Sequence, residues 1–445
     1  MPGLFGTDGI RGVANAELTP EFTVGLGRAV VRTLREEGHA RPHIVVGRDP
    51  RASGEMLEAA LVAGITSAGG DVTAVGVLPT PAVAYLTVQL GAASGAMISA
   101  SHNPVPDNGI KFFGADGYKL TDAEEERVEE LLQRLYEDRP VGDQIGRVRH
   151  RPELLDLYVD HLASTVAVPL AGLRVVVDCA NGAASPVSEA LLRRLGCDVI
   201  AIHAAPDGLN INADCGSTYP DVVARAVVEH GAEIGLAHDG DADRLIAADH
   251  TGTVVDGDTI LAILAERAHH DSGLDTVVTT VMTNMGFKQA MQRLGIEVVE
   301  TKVGDRYVLE AMRAGGYSVG GEQSGHVILL DHSTTGDGVL TAVQLLEAVA
   351  AAKKPLAELA TVMRRLPQVL VNVPNVDRER LDAAAALWDA VGEEERALEG
   401  SGRILVRASG TEPLVRVMVE ADSEGRATDV AQRLAKVVAE ELALG

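Results

Sequence analysis

The 445-residue sequence predicts an α/β protein with three similar α/β domains, whose sheets are mixed and mostly parallel, and a smaller α+β domain at the C-terminus. Apolar runs of strand length alternate with helical patterns along most of the chain, which is the order expected of layered α/β domains. At about 150 residues per domain, the length favours roughly three domains of this kind. The last segment differs in character, since three predicted strands are followed by one closing amphipathic helix.

Five apolar runs are predicted to form buried parallel strands, and four of them end in polar, mostly glycine-containing segments. Ligands of open α/β sheets bind beyond the carboxyl ends of the strands, so these segments are where chemistry is expected. The runs are residues 43–47, 96–98, 174–177, 233–237 and 276–281, and the polar segments are residues 47–49, 99–103, 178–182 and 238–244.

The clearest helix is predicted over residues 121–136. Thr121 and Glu124 have the spacing of a capping box, and the apolar residues that follow recur at helical spacing. These are Val128, Leu131, Leu132 and Leu135.

The C-terminal segment and the charged or turn-rich connections divide the chain into four expected domains, residues 1–150, 151–252, 253–366 and 367–445. Within the last domain, the predicted strands are residues 368–372, 403–407 and 414–420. The closing helix carries an apolar stripe formed by Val430, Leu434, Val437 and Val438.

Composition excludes several classes of function. A net charge of −25 and an isoelectric point of about 4.9 argue against general binding to nucleic acid or to anionic membranes. An acidic enzyme with an anionic substrate must therefore concentrate arginine and lysine locally. Cys179, Cys197 and Cys215 are too few and too far apart for a metal cage or a disulfide framework, and we expect them to be buried in a reducing compartment. The first residues lack the features of a signal peptide, so we expect a cytoplasmic protein.

Two segments far apart in the chain together indicate phosphoryl transfer. Ser101 begins a Ser-His-Asn-Pro segment just past an apolar run, and a distant loop contains Asp239, Asp241 and Asp243, followed by Arg244. Aspartates at every second residue of an extended loop would point the same way and converge on one cation. Hard oxygen ligands suit Mg²⁺, and an arginine can grip phosphate oxygens. The predicted chemistry is therefore metal-assisted phosphoryl transfer through the serine.

Each of these segments also has an ordinary interpretation. A serine of this kind commonly caps a helix or closes a turn, and alternating aspartates commonly lie in a solvated loop. A calcium loop of the EF-hand type is excluded, because Arg244 stands where that motif needs glycine and His250 where it needs glutamate.

Two polar turns are expected to contact a sugar. Glu322 and Ser324 offer a carboxylate and a hydroxyl that suit sugar hydroxyls, and His326 can exchange protons near neutral pH. Thr301 and Gly304 belong to a glycine-bearing turn after a predicted strand, and we expect them to orient the sugar. Taken alone, either segment is an ordinary polar turn.

A second phosphate site is predicted near the C-terminus. Arg407, Ser409, Gly410 and Thr411 follow a predicted strand, and Arg416 is close in sequence. Together they supply guanidinium groups, hydroxyls and backbone N–H groups, which is the composition of a phosphate cradle that is not a Walker loop. The alternative is a β-turn with surface charge. A site separate from Ser101 is what a substrate with two phosphorylatable positions requires.

Three further residues are candidates for contact with phosphate. Thr7 and Arg11 lie in a glycine-rich segment near the N-terminus, and Lys111 follows Ser101 closely enough to sit over a transferring phosphate. Lysine and arginine at a protein surface are usually only solvated, so these assignments depend on the other segments.

In this order along the chain, the segments resemble the α-D-phosphohexomutase family, and the resemblance covers essentially the whole sequence. It implies four domains around one central cleft. It also implies that Ser101 is phosphorylated in the active enzyme, and that the phosphoserine holds one Mg²⁺ together with Asp239, Asp241 and Asp243.

The resemblance implies roles for the remaining residues as well. His102 would orient the phosphoserine, and the C-terminal cradle would hold whichever phosphate is not reacting. Proton transfer and charge neutralisation fall to three residues, with no order among them: Lys111, His326 and Arg11.

Within the family, the sequence is most similar to bacterial members that act on glucosamine phosphates. The similarity lies in residues 4–12, in residues 98–104 and in the Gly-Glu-Gln-Ser-Gly-His turn, where relatives acting on glucose or mannose phosphates commonly carry Met in place of Gln323. The expected reaction interconverts glucosamine 6-phosphate and glucosamine 1-phosphate through a 1,6-bisphosphate, and supplies UDP-N-acetylglucosamine for the cell wall. Glucosamine or glucose 1,6-bisphosphate would be the activator, and a homodimer is usual for such relatives.

Three alternatives remain open at this stage. A phosphoglucomutase or phosphomannomutase would use the same chemistry on another sugar. A phosphosugar hydrolase is disfavoured, because it has no use for a second phosphate cradle. A non-catalytic phosphosugar-binding protein would require the serine and the aspartates to be dispensable.

Overall fold

The computed structural model describes residues 4–6, 8–134, 139–398, 400–409 and 414–444. Four sheets of six, five, four and three strands are formed by this part of the chain. The first three sheets are mixed and are accompanied by helices, and the fourth is antiparallel. The predicted α/β class with a smaller α+β part is therefore confirmed. None of the helices within the described residues is both long and apolar enough to cross a membrane.

The first sheet positions the Ser101 loop. In the order β1-β5-β4-β2-β3-β6, the strands β4, β2, β3 and β6 pair in parallel, whereas β5 is antiparallel to both β4 and β1. The strands are β1 (Ile10–Val13), β2 (His43–Arg48), β3 (Asp71–Val77), β4 (Ser94–Ile98), β5 (Asp107–Gly114) and β6 (Val148–His150), and the helices are α1 (Pro20–Glu36), α2 (Ala52–Ser67), α3 (Thr80–Gln89) and α4 (Asp122–Leu132).

Helix α4 begins at the predicted capping box. The Thr121 hydroxyl accepts the N–H of Glu124, and the Glu124 carboxylate accepts the N–H of Thr121 at 2.7 Å. Val128 and Leu131 face the core of the first sheet. The helix ends at Leu132, earlier than predicted, and Leu135 lies outside the described residues.

The second sheet positions the aspartate loop. Its order is β11-β10-β9-β7-β8, in which β9, β7 and β8 are parallel and β10 is antiparallel to β9 and β11. The strands are β7 (Arg174–Asp178), β8 (Asp198–Ile202), β9 (Ile234–His238), β10 (Leu245–Asp249) and β11 (Val254–Val255), and the helices are α5 (Leu155–Ser164), α6 (Ser188–Arg194) and α7 (Pro220–His230).

The third sheet carries the turn at Glu322. Its order is β13-β12-β14-β15, with only the last pair antiparallel. The strands are β12 (Thr276–Thr280), β13 (Glu297–Thr301), β14 (Val319–Gly321) and β15 (Val327–Leu329), and the helices of this stretch are α8 (Gly257–Ser272), α9 (Met285–Leu294), α10 (Asp305–Gly315), α11 (Gly338–Ala352) and α12 (Leu356–Leu359).

The fourth sheet is C-terminal, with β18 between β16 and β17 and both pairings antiparallel. Buried residues of α14, among them Val430, Leu434 and Val438, pack in its core, and Val437 is partly buried there. The elements are β16 (Gln368–Pro374), β17 (Arg403–Ala408), β18 (Leu414–Glu420), α13 (Ala385–Leu398) and α14 (Glu424–Glu441).

The chain divides into two compact units. The first comprises the residues up to Met282 together with Gly295–Val362, and the second comprises Thr283–Leu294 and the residues from Met363 onward. Helix α9 thus belongs to the unit of the fourth sheet, where Met285 N–H donates to the Glu420 carboxylate at 2.8 Å. The four domain boundaries given above remain a prediction.

All five apolar runs are strands, and the mixed, mostly parallel pairing predicted for the sheets is confirmed, although β4 and β9 are parallel to a neighbour on one side only. Each has an antiparallel neighbour on one side, β5 and β10 respectively. The loops that follow β4 and β9 are short, and a short connection joins only antiparallel neighbours. The serine and aspartate motifs therefore both lie in loops between antiparallel strands.

Candidate active site

Ser101 lies directly against the first of the three aspartates. Its Oγ donates to Asp239 Oδ2 at 2.5 Å, across 138 residues of sequence, and lies 3.3 Å from His102 Nδ1. The residue is 1% exposed, and its φ of 51° is in the left-handed region. The nucleophile predicted from sequence is thus held in an unusual backbone conformation beside a carboxylate.

The three aspartate carboxylates converge. One oxygen each of Asp239, Asp241 and Asp243 lies within 4.8 Å of the others. The extended loop predicted from their spacing is wrong, because Ala242 has a φ of 59° and residues 240–241 form a turn. The turn, rather than strand-like alternation, gathers the carboxylates.

These carboxylates fit a divalent cation. All three are buried, and no hydrogen-bond donor among the described residues reaches Oδ1 of Asp241 or of Asp243. Burial raises the pKa of Asp239 well above its usual value, and repulsion from Asp243 and Asp241 raises it further. Buried, mutually repelling oxygen ligands with unsatisfied acceptors are what a hard cation such as Mg²⁺ requires.

Lys111 supplies the positive charge nearest to the cluster. Its Nζ lies 2.9 Å from Asp241 Oδ2, 2.9 Å from Asp8 Oδ2 and 3.7 Å from Asp243 Oδ2. Burial alone would lower the pKa of this ammonium, but Asp241, Asp8 and Asp243 raise it above its usual value. Thr80 Oγ1 also donates to Asp241 Oδ2, at 2.6 Å.

The surroundings shift the pKa values of the two predicted histidines in opposite directions. Burial, assisted by Arg244 and Arg11, lowers the pKa of His102 to about 4, so its imidazole is neutral at neutral pH. Burial also opposes the charge on His326, but the Asp243 carboxylate raises its pKa above the usual value. His326 Nδ1 lies 3.6 Å from Asp243 Oδ2, and its Nε2 lies 3.7 Å from Asp305 Oδ2.

A cavity of about 470 Å³ lies over these groups. Arg11 reaches it from β1, donating to Asn103 Oδ1 at 3.2 Å and pairing with Asp8. Seven of the residues predicted from sequence line the cavity: Arg11, His102, Asp243, Arg244, Gly304, Glu322 and His326.

The two predicted sugar-binding turns meet. Gly304 N–H donates to Glu322 Oε1 at 3.1 Å. Ser324 Oγ and Gln323 Nε2 are buried, and no partner for either lies among the described residues. Thr301 does not line the cavity, because its hydroxyl donates to backbone carbonyls, including that of Lys302 at 2.9 Å.

The predicted phosphate cradle lies in the second unit. Arg407 on β17 pairs directly across from Arg416 on β18, and burial and the charge of Arg416 lower the pKa of Arg407. Arg378 Nη1 donates to the carbonyl of Ser409 at 2.6 Å. Like charges directly opposite each other destabilise a sheet, and a bound anion would relieve the repulsion. Three predicted residues, Thr7, Gly410 and Thr411, lie outside the described part of the chain.

Sequence reasoning missed several charged and polar residues of the site. The Asp8 carboxylate contacts both Lys111 and Lys119. Lys119 Nζ lies 2.5 Å from Asp8 Oδ1 and also pairs with Asp305. Asp8 lies in the N-terminal segment that was identified by Thr7 and Arg11, and Asp305 directly follows Gly304. Lys119 and Thr80 carry no local signal, because each reaches its partner over more than a hundred residues of sequence.

A second group of possible ligands is Asp178, His203 and Cys215. Both oxygens of Asp178 already accept backbone N–H groups, from Ala180 at 2.9 Å and Gly216 at 3.0 Å. Burial raises the pKa of the Cys215 thiol to about 12. We therefore assign Asp178 of this cluster to hydrogen bonding of the local backbone. All three cysteines of the chain are buried and free.

Comparison with known proteins agrees with this geometry. Models of the phosphoglucomutase/phosphomannomutase family match the chain throughout: alpha/beta/alpha domain I over residues 2–139, domain II over 156–252, domain III over 256–366 and the C-terminal domain over 370–437. A phosphoglucosamine mutase of Streptomyces coelicolor is 58% identical over 447 residues, which cover 98% of this chain and 99% of the relative.

Solved structures show the same fold. A phosphoglucomutase/phosphomannomutase family protein from Burkholderia thailandensis has a TM-score of 0.82 and 25% identity, covering 99% of this chain and 98% of that one. The N-acetylphosphoglucosamine mutase of Aspergillus fumigatus, solved in complex with GlcNAc-6P and magnesium, has a TM-score of 0.66 and 19% identity, covering 98% of this chain and 95% of that one. The chain belongs to the phosphoglucomutase/phosphomannomutase family, as its sequence motifs predicted.

Proposed function

We propose that this protein is an isomerase with the activity of a phosphoglucosamine mutase, interconverting glucosamine 6-phosphate and glucosamine 1-phosphate. Relatives with that name are 56–58% identical over essentially the whole chain. The observation that carries the proposal is the 2.5 Å hydrogen bond from Ser101 Oγ to Asp239 Oδ2. It sets a buried hydroxyl on a cluster of carboxylates, of which Asp243 lines a cavity of about 470 Å³, large enough for a phosphosugar.

In the first half-reaction, phosphorylated Ser101 gives its phosphoryl group to O1 of glucosamine 6-phosphate. The P–Oγ bond breaks as the P–O1 bond forms, O1 loses its proton, and Ser101 Oγ gains one. In the second half-reaction, the 1,6-bisphosphate presents its other end. The P–O6 bond breaks as a P–Oγ bond forms at Ser101, Oγ loses its proton, and O6 gains one. The product is glucosamine 1-phosphate, and the phosphoserine is restored.

Asp239, Asp241 and Asp243 would hold one Mg²⁺ together with the phosphoserine. When bound, Mg²⁺ draws electron density from the phosphoryl oxygens and offsets the charge that builds on them during transfer. Arg244 lies beside these carboxylates, with its Nε 3.8 Å from Asp243 Oδ1, and its guanidinium would grip the phosphoryl oxygens from the cavity side.

The basic side chains around the cavity would neutralise charge, transfer a proton and orient the serine. Lys111 and Arg11 would supply the positive charge that neutralises phosphate charge. His326 is the one of the three whose ordinary pKa is near neutrality, so it is suited to hold and return a proton. The neutral imidazole of His102 orients Ser101 Oγ.

The sugar and the distant phosphate would be held by separate groups. Glu322, Ser324 and Gly304 would bind sugar hydroxyls, with Thr301 supporting the turn. The cradle of Arg407, Ser409, Gly410, Thr411 and Arg416 would bind the phosphate that is not reacting, and Thr7 would contact the transferring one. A fixed site of this kind lets both ends of the bisphosphate react at one serine.

The wider setting follows from the activity. Glucosamine or glucose 1,6-bisphosphate would recharge Ser101 whenever an intermediate escapes. The product would feed synthesis of UDP-N-acetylglucosamine in the cytoplasm, and we expect a homodimer.

The first experiment compares kcat/KM for glucosamine 6-phosphate with kcat/KM for the 1-phosphates of glucose and mannose, with Mg²⁺ and trace bisphosphate present. A ratio well above about ten, equivalent to about 1.4 kcal/mol in transition-state binding, supports the proposal. A ratio near one would assign the protein to phosphoglucomutase or phosphomannomutase activity. Release of inorganic phosphate at the rate of substrate loss would indicate a hydrolase instead.

Ser101→Ala separates catalysis from binding. Intact mass after incubation with the bisphosphate should show one added phosphoryl group on the wild type and none on the variant. Activity should fall by at least about 10⁴-fold, the scale of losing a nucleophile. Full function of this variant in cells that lack the wild-type protein would indicate a binding protein.

A further inference from the structure

Arg51, at the start of α2, binds the backbone of the Ser101 loop without touching the cavity. Its side chain is fully buried, and its guanidinium donates to four carbonyls of the loop. These are the carbonyls of Ser101 at 2.9 Å, Asn103 at 2.8 Å, Pro104 at 2.6 Å and Asp107 at 3.1 Å. The planar guanidinium thus fixes the direction of four peptide groups spread over residues 101–107.

A second path leads from Arg51 to the other side of the Ser101 peptide. Arg51 Nε donates to Asp49 Oδ2 at 2.9 Å, and the same oxygen accepts the Ser99 hydroxyl at 2.6 Å. Ser99 Oγ in turn accepts the N–H of Ser101 at 2.9 Å. Asp49 is fully buried, so the charge of Arg51 is compensated within this chain of contacts. Both the N–H and the C=O of Ser101 are therefore tied to one ion pair.

The loop needs such restraint, because Ser101 has a φ of 51°. A side chain other than glycine rarely adopts this conformation unless its surroundings impose it. From the connection between β8 and α7, Asn212 Nδ2 donates to the carbonyl of Ser101 at 2.9 Å. The conformation aims Ser101 Oγ at Asp239, and relaxation of the backbone would turn the hydroxyl away.

We infer that Arg51 is a positioning residue for phosphoryl transfer, holding the Ser101 loop in the strained conformation that aims Oγ at the carboxylate cluster. The inference rests on the proposed function, since it concerns the serine that would carry the phosphoryl group. A nucleophile that both attacks and leaves in line must keep one direction in both half-reactions, and small misplacements cost rate steeply.

The test compares Arg51→Lys with Arg48→Lys. A lysine keeps the charge beside Asp49 but cannot span four carbonyls, whereas Arg48 pairs with Glu55 and Glu58 and serves as the matched control. Rapid-quench measurement of phosphoryl transfer from the bisphosphate to Ser101 should be about 100-fold slower in Arg51→Lys and unchanged in Arg48→Lys. KM for glucosamine 6-phosphate should stay close to that of the wild type, and the ³¹P resonance of the phosphoserine should shift or broaden.

Several outcomes overturn the inference. One is a wild-type transfer rate and ³¹P spectrum in folded Arg51→Lys. Another is a rate loss that is recovered entirely at a lower temperature, where the variant is fully folded. If Arg51→Lys does not fold, Ser99→Ala carries the test, and a wild-type transfer rate in that variant counts against the inference. Absence of phosphate on wild-type Ser101 would instead reject the proposed function.

Discussion

The ammonium of Lys111 lies 2.9 Å from Oδ2 of Asp241 and equally close to Oδ2 of Asp8. This lysine comes from β5, the strand that follows the Ser101 loop, whereas Asp241 comes from the loop between β9 and β10 of the second sheet. The contact therefore joins the serine and aspartate segments by charge as well as by the hydrogen bond between Ser101 and Asp239. It also places the Lys111 ammonium beside Asp241 and Asp243, so a divalent cation bound by these carboxylates would be repelled by a neighbouring positive charge.

Lys111→Met is expected to tighten the binding of Mg²⁺ or Mn²⁺ by at least about tenfold while lowering the transfer rate. Unit charges about 4 Å apart interact by roughly 4 kcal/mol at an effective dielectric constant of 20, so loss of the ammonium favours the cation. Titration calorimetry with Mn²⁺ on the unphosphorylated protein measures the affinity directly. Lys119→Met, which removes a lysine paired with Asp8 and Asp305, should change it less. Weaker binding in Lys111→Met would show that the lysine supports the cation instead.

Asp241→Asn should have the opposite effect on the same titration. A neutral amide is a poorer ligand for a hard cation, and even partners outside the coordination sphere change metal affinity by about 10–100-fold. We expect a loss of about 100-fold or more, measured as the dissociation constant for Mn²⁺. The exposed carboxylate of Asp198 provides the control, and Asp198→Asn should bind as the wild type does. Equal affinities for Asp241→Asn and the wild type would remove this aspartate from the metal site.

The sequence predicted the parts of the site that have local signatures. Ser101 and the three aspartates stood out because each follows an apolar strand, and ligands collect beyond such ends. Arg51 and Asn212 could not be found this way, because they are far from Ser101 in sequence. Arg51 is separated from Ser101 by 50 positions and Asn212 by 111. Their contacts exist only once the sheets are packed. The turn at Ala242 was missed for a related reason, because alternation of aspartates suggests an extended chain and carries no sign of a residue with positive φ.

Gly240→Ala should destabilise the protein and slow phosphoryl transfer. A Cβ at this position would overlap the carbonyl oxygen of Ser101, and forcing the two loops apart costs about 1–3 kcal/mol, the scale of overpacking. The free energy of unfolding from urea titration measures this. Gly392→Ala is the matched control, because space is open around that position in α13, where alanine should stabilise by about 0.5–1 kcal/mol. Equal effects of the two substitutions would contradict the close approach.

Asp337→Asn should flatten the dependence of stability on pH. Burial raises the pKa of Asp337 to about 7, although Leu340 N–H and the Tyr158 hydroxyl bond to the carboxylate. In the unfolded chain the pKa is about 3.9, so this group's contribution is fully present below that value and is lost as pH rises towards 7. At about 1.4 kcal/mol per pKa unit, the loss is on the order of a few kcal/mol.

Asparagine can cap α11 and accept the Tyr158 hydrogen bond without bearing charge, so Asp337→Asn should be more stable than the wild type at pH 8. The two proteins should converge near pH 4. Melting temperatures across this range provide the measurement. The exposed Asp331 is the control, and Asp331→Asn should follow the wild-type profile. A wild-type slope in Asp337→Asn would place the titration on another group.

Arg407→Gln should weaken phosphate binding without harming the fold of the second unit. Arg407 and Arg416 face each other across β17 and β18, so removing one charge relieves repulsion when no anion is bound. Inorganic phosphate should raise the melting temperature of the wild type, by linkage, and that of the variant much less.

Because the distant phosphate would be held equally in the ground and transition states, KM of Arg407→Gln should rise with little change in kcat. The expected loss in kcat/KM is about 10–100-fold, the value of hydrogen bonds to a charged group. Arg433→Gln, which breaks an exposed pair with Glu394, should leave both measurements unchanged; a fall in kcat alone for Arg407→Gln would mean that this arginine acts on the reacting phosphate.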